Sequence, residues 1–290
     1  MVGSTLKKIL DFFGFDIHGF LFHVFEINAG RICCKKIGTL DEEIKTLVLS
    51  EDERFHHKDM ELEDMGSQYV VRGFTVDRIK FLQDCRVLPY EIVIDIGDSN
   101  GIFLRSLKKD GLSLNINQMI VTSLHEKQIE SVIADAEHLP FKDASISTVL
   151  LFQTLEHVPN PILLLNEIAR ICKKSLILSI PYVSKTKIHS RQYDPKRPIY
   201  EHHIIEFNPN DFRSIVSHTP FRIQRESIAV VIDKNGLSLD RFVVFLWNRL
   251  VERDMFCGCF TKFLLVHLEK RNLEKPLVPE LKQNMPKLPN

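Results

Sequence analysis

"EIVIDIGDSNGIFL", residues 91–104, is a short apolar run that breaks into a turn bounded by Gly97 and Gly101 and then resumes as a helix-forming segment. A strand feeding a glycine turn and then a helix is the opening unit of an open α/β sheet, whose ligands sit at the carboxyl ends of the strands. The dinucleotide fingerprint at such a turn is G-x-G-x-x-G, with backbone amides facing a pyrophosphate. This turn has its glycines four apart, Ser99 where a middle glycine would stand, and two carboxylates, Asp95 and Asp98. Negative charge there opposes a pyrophosphate and suits a ligand that carries positive charge.

The flanking sequence repeats the unit. "GLSLN" (111–115), "SVIAD" (131–135), "SISTVLLF" (145–152) and "SLILSI" (175–180) are near-continuous apolar runs, the pattern of strands buried on both faces. Between the last two, Asn160-Pro161 sets an N-cap before a proline at the first helical position, and "PILLLNEIARICKK" carries an apolar stripe ending in lysines. Asn208-Pro209 repeats the device before "NDFRSIVS". Alternating strands and helices predict a doubly wound α/β sheet with right-handed crossovers. Two later strands are expected at "FRIQRESIAVVI" (221–232) and "FLLVHLEK" (263–270), with a helix at "SLDRFVVFLWNRLVER" (238–253) between them.

Composition narrows the classes. The 290 residues carry 38 Lys+Arg against 38 Asp+Glu, so the basic excess of a duplex-binding protein is missing and nucleic acid is disfavoured. The cysteines (Cys33, Cys34, Cys85, Cys172, Cys257, Cys259) form no CxxC pair, which predicts reduced thiols in a cytoplasmic setting and no metal. "LKKILDFFGFDIHGFLFHVFEI" (6–27) is rich in phenylalanine, but Asp11, Asp16, His18, His23 and Glu26 interrupt it. It predicts an amphipathic lid helix rather than a membrane span, with peripheral membrane contact as the alternative. The expected organisation is a helical extension over 1–88, in which "FHHKD" (55–59) is a solvated helix face, an α/β domain over 89–271 and a lysine- and proline-rich tail over 272–290.

S-adenosylmethionine, with a sulfonium and an α-ammonium, is a ligand of the charge that the turn demands. "DAEHLPF" (135–141) follows the third strand, so Asp135 would reach the same sheet edge, where a carboxylate can accept from an adenine amine while the next amide donates to the ring. "FQTLEHVPNP" (152–161) follows the fourth strand and leads into the capped helix. With "SLILSIPY" and "EHHIIEFNPNDFRSIVSHTPFRI", these segments, in this order and spacing, resemble a class I S-adenosylmethionine-dependent methyltransferase of the methyltransferase type 11 group. The resemblance covers roughly residues 70–270.

That resemblance implies a Rossmann-like seven-stranded sheet with its last strand antiparallel. It implies that Asp95, Gly97, Asp98, Ser99, Asn100 and Gly101 surround the methionine part of the cofactor. Asp135 and Ala136 would contact adenine, with Glu137 close by, and Phe152 and Gln153 would border the transfer site. Two positions depart from the pattern. Ser99 replaces a glycine, so the backbone must meet the ligand past a β-carbon. Asn115 stands where an acidic residue usually binds the ribose hydroxyls, and an amide lacks the charge that strengthens such bonds.

Methyl transfer from a sulfonium is an in-line displacement, and a base is needed only where the acceptor must lose a proton. His157 with Glu156 are the catalytic candidates; the competing role for His157 is to cap or pack the loop. Some relatives of this fold carry E-x-x-E-H here and bind a divalent ion; this chain has Gln153 in the first position, and a neutral amide is a weaker ligand than a carboxylate. The link after the fifth strand offers Tyr182, Tyr200, His202 and His203 as substrate-pocket candidates, with His189, Tyr193 and Glu201 beside them. An ordinary solvated loop accounts for them equally well. The reading is a methyltransferase acting at O or N of a small-molecule, glycan or lipid-precursor acceptor. Its rivals are a binding or scaffold protein with a decayed cofactor site, and an RNA methyltransferase.

Overall fold

The computed structural model describes residues 27, 29–50, 65–182, 203–232 and 260–271. Its centre is a seven-stranded sheet: β1 (Val93–Ile96), β2 (Gly111–Asn115), β3 (Ser131–Ile133), β4 (Ile146–Phe152), β5 (Cys172–Tyr182), β6 (Phe221–Ile232) and β7 (Phe260–Lys270). The spatial order is β3-β2-β1-β4-β5-β7-β6. β1 runs parallel to β2 and β4, with Val93 opposite both Gly111 and Thr148, while β7 runs antiparallel to β5 and β6. Strand order reverses beside β1, so the turn after β1 opens at the switch point of the sheet.

The helices are a segment over 29–37 (α1), then α2 (Glu42–Ser50), α3 (Met65–Asp84), α4 (Ile102–Ser106), α5 (Gln118–Glu126), α6 (Pro161–Ile171) and α7 (Pro209–Ser217). The Asn-Pro starts act as the sequence predicts. Asn160 Oδ1 accepts from the Leu163 amide at 3.0 Å, and Asn208 Oδ1 accepts from Asn210 and Asp211 at 2.9 and 3.0 Å. Such a cap stabilises a helix by about 1 kcal/mol.

Side chains alternate across the strands and divide the core in two. Ile94, Ile96, Val149, Leu151, Leu176 and Leu178 join α6 and α7 on one face. Val93, Leu150, Phe152 and Ile177 face the other way, against residues of α1, α2 and α3 such as Val48, Ile79 and Leu82. Burying one such side chain is worth about 1.5–3 kcal/mol. By the same alternation Asp95 lies on the face that α3 covers.

The boundaries shift in instructive ways. β3 ends at Ile133, which leaves Ala134 and Asp135 on the following loop. β5 starts at Cys172, where the chain leaves α6 directly into extended backbone, and runs on to Tyr182 opposite Lys262. The expected helix at 238–253, the 6–27 segment, "FHHKD" and the tail lie outside the described residues, apart from Ile27. Burial pushes the Cys85 thiol up to about 12 and the Cys172 thiol up to about 11, so neither supplies thiolate near neutral pH. Cys257 and Cys259 lie outside the described residues. Among the described residues, no helix is long and apolar enough to cross a membrane.

Candidate active site

The turn after β1 closes on itself. Gly97 has φ +81°, and a β-carbon there would lie 2.2 Å from Thr154 Oγ1; Gly101 has φ +73°, and a β-carbon would lie 2.0 Å from Ile129 Cδ1. Both the conformation and the contact exclude a side chain. Between them the Asp98 carboxylate accepts from the Asn100 and Gly101 amides at 3.1 and 2.8 Å, from the Ser99 amide and from the Ser113 hydroxyl on β2. Asn115 reaches across from the end of β2, its Nδ2 donating to the Asp98 carbonyl oxygen at 2.8 Å and its Oδ1 accepting from the Asn117 amide at 2.9 Å. Asn100 Oδ1 accepts from the Ile102 amide at 3.1 Å. The sequence reading counted Asp98 as charge facing a ligand. The structure turns that carboxylate onto the turn's own donors.

Asp95 is different. It is 1% exposed, and its Oδ2 is buried without a hydrogen-bond partner. Desolvation, then the neighbouring Asp98, push its pKa well above the usual carboxylate range, while Arg78 of α3 acts in the opposite direction. Asp98 is also raised by burial, but its donors oppose the shift. The wall beside them is aromatic. Phe103 lies 4.3 Å from Phe152 between ring centroids, and the Arg78 guanidinium stands 4.8 Å from the Phe103 ring and 4.3 Å from the Phe74 ring. After Phe152, Gln153 takes a left-handed φ of +53°, its amide bonded to Ser179 O at 3.0 Å and its side chain to Ser179 Oγ at 3.2 Å. A non-glycine residue in that conformation carries backbone strain.

On the other side of β1, Asp135 Oδ1 accepts from the Glu137 amide at 2.9 Å, and its other oxygen lies 3.4 Å from His138 Nδ1. Ala136 is half-buried against the core, and Glu137 accepts from the Asn160 amide at 3.3 Å. Arg170 of α6 pins this loop by donating to Leu139 O, Phe141 O and Asp143, while pairing with Glu167. Three large apolar side chains stay exposed at this edge: Ile116 at 71%, Met119 at 67% and Ile133 at 51%. The sequence reading passed over all three. The available signal was an isoleucine directly after the β2 asparagine and a methionine in the first turn of α5, where a solvated turn would carry polar groups.

Beyond β4 the chain makes a 3₁₀ turn, Leu155–His157. Glu156 is fully buried, and its carbonyl oxygen accepts from the Ile204 amide at 2.8 Å. That bond draws residues 203–206 over the turn, placing the His157 and His203 rings 5.0 Å apart, edge to face. Glu156, His157 and His203 each offer a ligand atom within 4.8 Å of the others, a grouping that could hold a metal ion. His203, expected only as a pocket group, thus joins the two catalytic candidates, and Glu206 lies 3.9 Å from its Nδ1. Tyr182 is half-buried and bridges to Phe207. Tyr200 and His202, with His189, Tyr193 and Glu201, lie outside the described residues.

Comparison with known proteins agrees with this architecture. Residues 94–180 match the family model described as a methyltransferase domain. Over 101 residues the chain is 37% identical to an uncharacterised protein of Methanocaldococcus jannaschii, a match spanning 33% of this chain and only 43% of that protein. A crystal structure of a candidate methyltransferase from Bacillus halodurans superposes with a TM-score of 0.51 at 17% identity, covering 67% of this chain and 99% of that one. A chain from the complex between the Haloferax volcanii Trm112 methyltransferase activator and a candidate methyltransferase gives 0.52 at 19% identity, covering 80% and 100%. At such identities the superpositions speak for the fold, and the family model speaks for the domain. Residues 94–180 thus match a methyltransferase domain, and the described chain shares its seven-stranded α/β fold with these solved structures.

Proposed function

We propose that the protein transfers a methyl group from S-adenosylmethionine to an oxygen or nitrogen of a small-molecule, glycan or lipid-precursor acceptor. The observation that carries the reading is Asp95. A buried carboxylate with an unpartnered oxygen, at the carboxyl end of the central strand, is incomplete until a cation reaches it. The α-ammonium of S-adenosylmethionine supplies that cation. Gly97–Gly101 would lie along its methionine part, and Ile116, Met119 and Ile133 would give a flat heteroaromatic ring apolar contact. Asp135 and the Ala136 amide would read the adenine edge, with Glu137 holding the loop against α6.

The bound cofactor supplies an electrophilic methyl; this chain orients, excludes water and handles the proton. Phe152 and Phe103 wall the transfer region, and the strained Gln153 fixes where the chain turns away from β4. His157, oriented by its contact with His203 and backed by Glu156, would take the proton from an acceptor hydroxyl or amine. α1, α2 and α3 form the cover on this face, and a covered site keeps water from the reacting atoms.

Incubation with methyl-labelled S-adenosylmethionine and separate pools of small metabolites, glycans, lipid precursors and RNA tests the reading. Label is expected in one of the first three pools and to be lost in a His157→Ala variant. Label confined to RNA favours the RNA methyltransferase, and binding of S-adenosylhomocysteine without label in any pool favours the scaffold protein.

A further inference from the structure

We propose that Gln153 selects the acceptor atom: its carboxamide oxygen receives an N–H of the group to be methylated, so the acceptor is a neutral amino group. The inference deepens the proposed function and rests on it, narrowing oxygen or nitrogen to nitrogen.

Gln153 stands where the end of β4 meets the turn after β1. The next residue, Thr154, donates through Oγ1 to Ile96 O at 3.2 Å and is the group that a β-carbon at Gly97 would strike. Gln153 itself is held twice by one partner. Its amide donates to Ser179 O at 3.0 Å, and its Nε2 donates to Ser179 Oγ at 3.2 Å. Ser179 is fully buried on β5, and strand alternation sets it with Ile177 on the face of the sheet that carries Phe152. By the same alternation that face also carries Asp95. A left-handed φ of +53° at a residue with a side chain persists only where its surroundings over-determine it, and the double bond to Ser179 does so. Gln153 is half-buried, and among the described residues no group donates to its Oε1. A carboxamide oxygen can only accept, so a donor on the incoming molecule completes it.

The number of hydrogens on the acceptor decides between the atoms. A hydroxyl has one, and if Gln153 holds it none is left for His157 to take. A neutral amino group has two and satisfies both. Its lone pair takes the methyl carbon as the carbon–sulfur bond breaks and leaves its electron pair on sulfur. The nitrogen, now cationic, releases one proton to His157 and keeps the other on Oε1, where the hydrogen bond strengthens as charge develops.

Sinefungin is the probe: it carries an amine on the carbon that replaces the sulfonium, at the place where the methyl group is handed over. Calorimetric titration compares it with S-adenosylhomocysteine, which lacks that amine. The wild type is expected to bind sinefungin more tightly. Gln153→Met should weaken sinefungin by about 10–100-fold, the range of charge-assisted hydrogen bonds, and change S-adenosylhomocysteine by less than about twofold. Gln153→Asn tolerates the left-handed backbone and withdraws the oxygen by one methylene, so it should lose the same preference. The atom itself is read by offering methyl-labelled S-adenosylmethionine with the small-metabolite, glycan and lipid-precursor pools before and after N-acetylation, which caps amines and leaves hydroxyls. Label is expected before the treatment and lost after it. A preference for sinefungin that is absent from the wild type or survives both substitutions, equal weakening of both ligands, or label undiminished by N-acetylation overturns the proposal. A wild type that binds neither ligand removes the cofactor reading itself, a result distinct from these.

Discussion

Asn115 Nδ2 donates to the main-chain carbonyl of Asp98 at 2.8 Å, so the side chain at the end of β2 holds the turn after β1 in place. Its other side-chain atom accepts from the Asn117 amide, the residue that caps α5. Asn115 is thus a strut between two loops at the carboxyl edge, a role that needs a donor and an acceptor on one side chain. An aspartate there would supply only acceptors and would set a carboxylate against the Asp98 carbonyl.

Asn115→Asp is therefore expected to lower stability by about 1 kcal/mol, the worth of one such hydrogen bond, without tightening S-adenosylhomocysteine. Urea denaturation and calorimetry of the variant measure both quantities. A variant that gains affinity with no loss of stability would mean that Asn115 serves as a weakened ribose ligand rather than as a strut.

Asp98 holds the same loop from within. Asp98→Ala would leave the Ser113 hydroxyl and the Ser99, Asn100 and Gly101 amides without their acceptor, at an expected loss of about 2–4 kcal/mol. Asp98→Asn keeps an acceptor and should fall between the alanine variant and the wild type. Denaturation midpoints at constant slope would establish the order.

Stability should depend on pH through two buried acids of opposite sign. Burial raises Asp95 well above its ordinary value, so the folded state holds a proton that the unfolded state releases, and stability falls as pH rises from about 3.8 towards the raised pKa. Glu91, at the opposite edge of the sheet, is buried, but hydrogen bonds from Lys174 and from Thr148 at 2.7 Å outweigh that burial and hold its pKa below 4.5. Its contribution is present above the unfolded value and is lost as pH falls through the depressed folded one. Asp95→Asn should raise the melting temperature at neutral pH by a few degrees and flatten the decline, whereas Glu91→Gln should lower it at neutral pH and soften the acid limb. Thermal unfolding from pH 3 to 8 reads both. An Asp95→Asn variant less stable than the wild type at pH 7 would contradict the assignment of Asp95 as a strained acid.

Much of this fold is legible in the sequence because its signals are local. The runs at 111–115 and 221–232 appear with the same limits in the structure, and both Asn-Pro caps make the bonds that their chemistry implies. The candidate site was less legible wherever a side chain has two uses. Asp95 and Asp98 look equivalent in "DIGD", but strand alternation buries one facing α3, while the turn wraps its amides around the other. Ser99 looks like a lost glycine, yet its amide is one of those donors. The stacking of Arg78 on Phe103 gives no signal in the sequence, because α3 and α4 bring the two together only in the fold. His203 is similar: a hydrogen bond from Ile204 to Glu156 brings it to His157, and no spacing rule foresees that.

The central claim is that the edge built by Asp95, the 97–101 turn and the loops after β2 and β3 binds an adenosyl amino acid. Calorimetric titration of the wild-type protein with S-adenosylhomocysteine tests it most directly. The account predicts one site per chain with a dissociation constant on the order of 1–100 μM, lost in Asp95→Ala. An absence of saturable heat at millimolar ligand, from a protein that unfolds cooperatively, would contradict it.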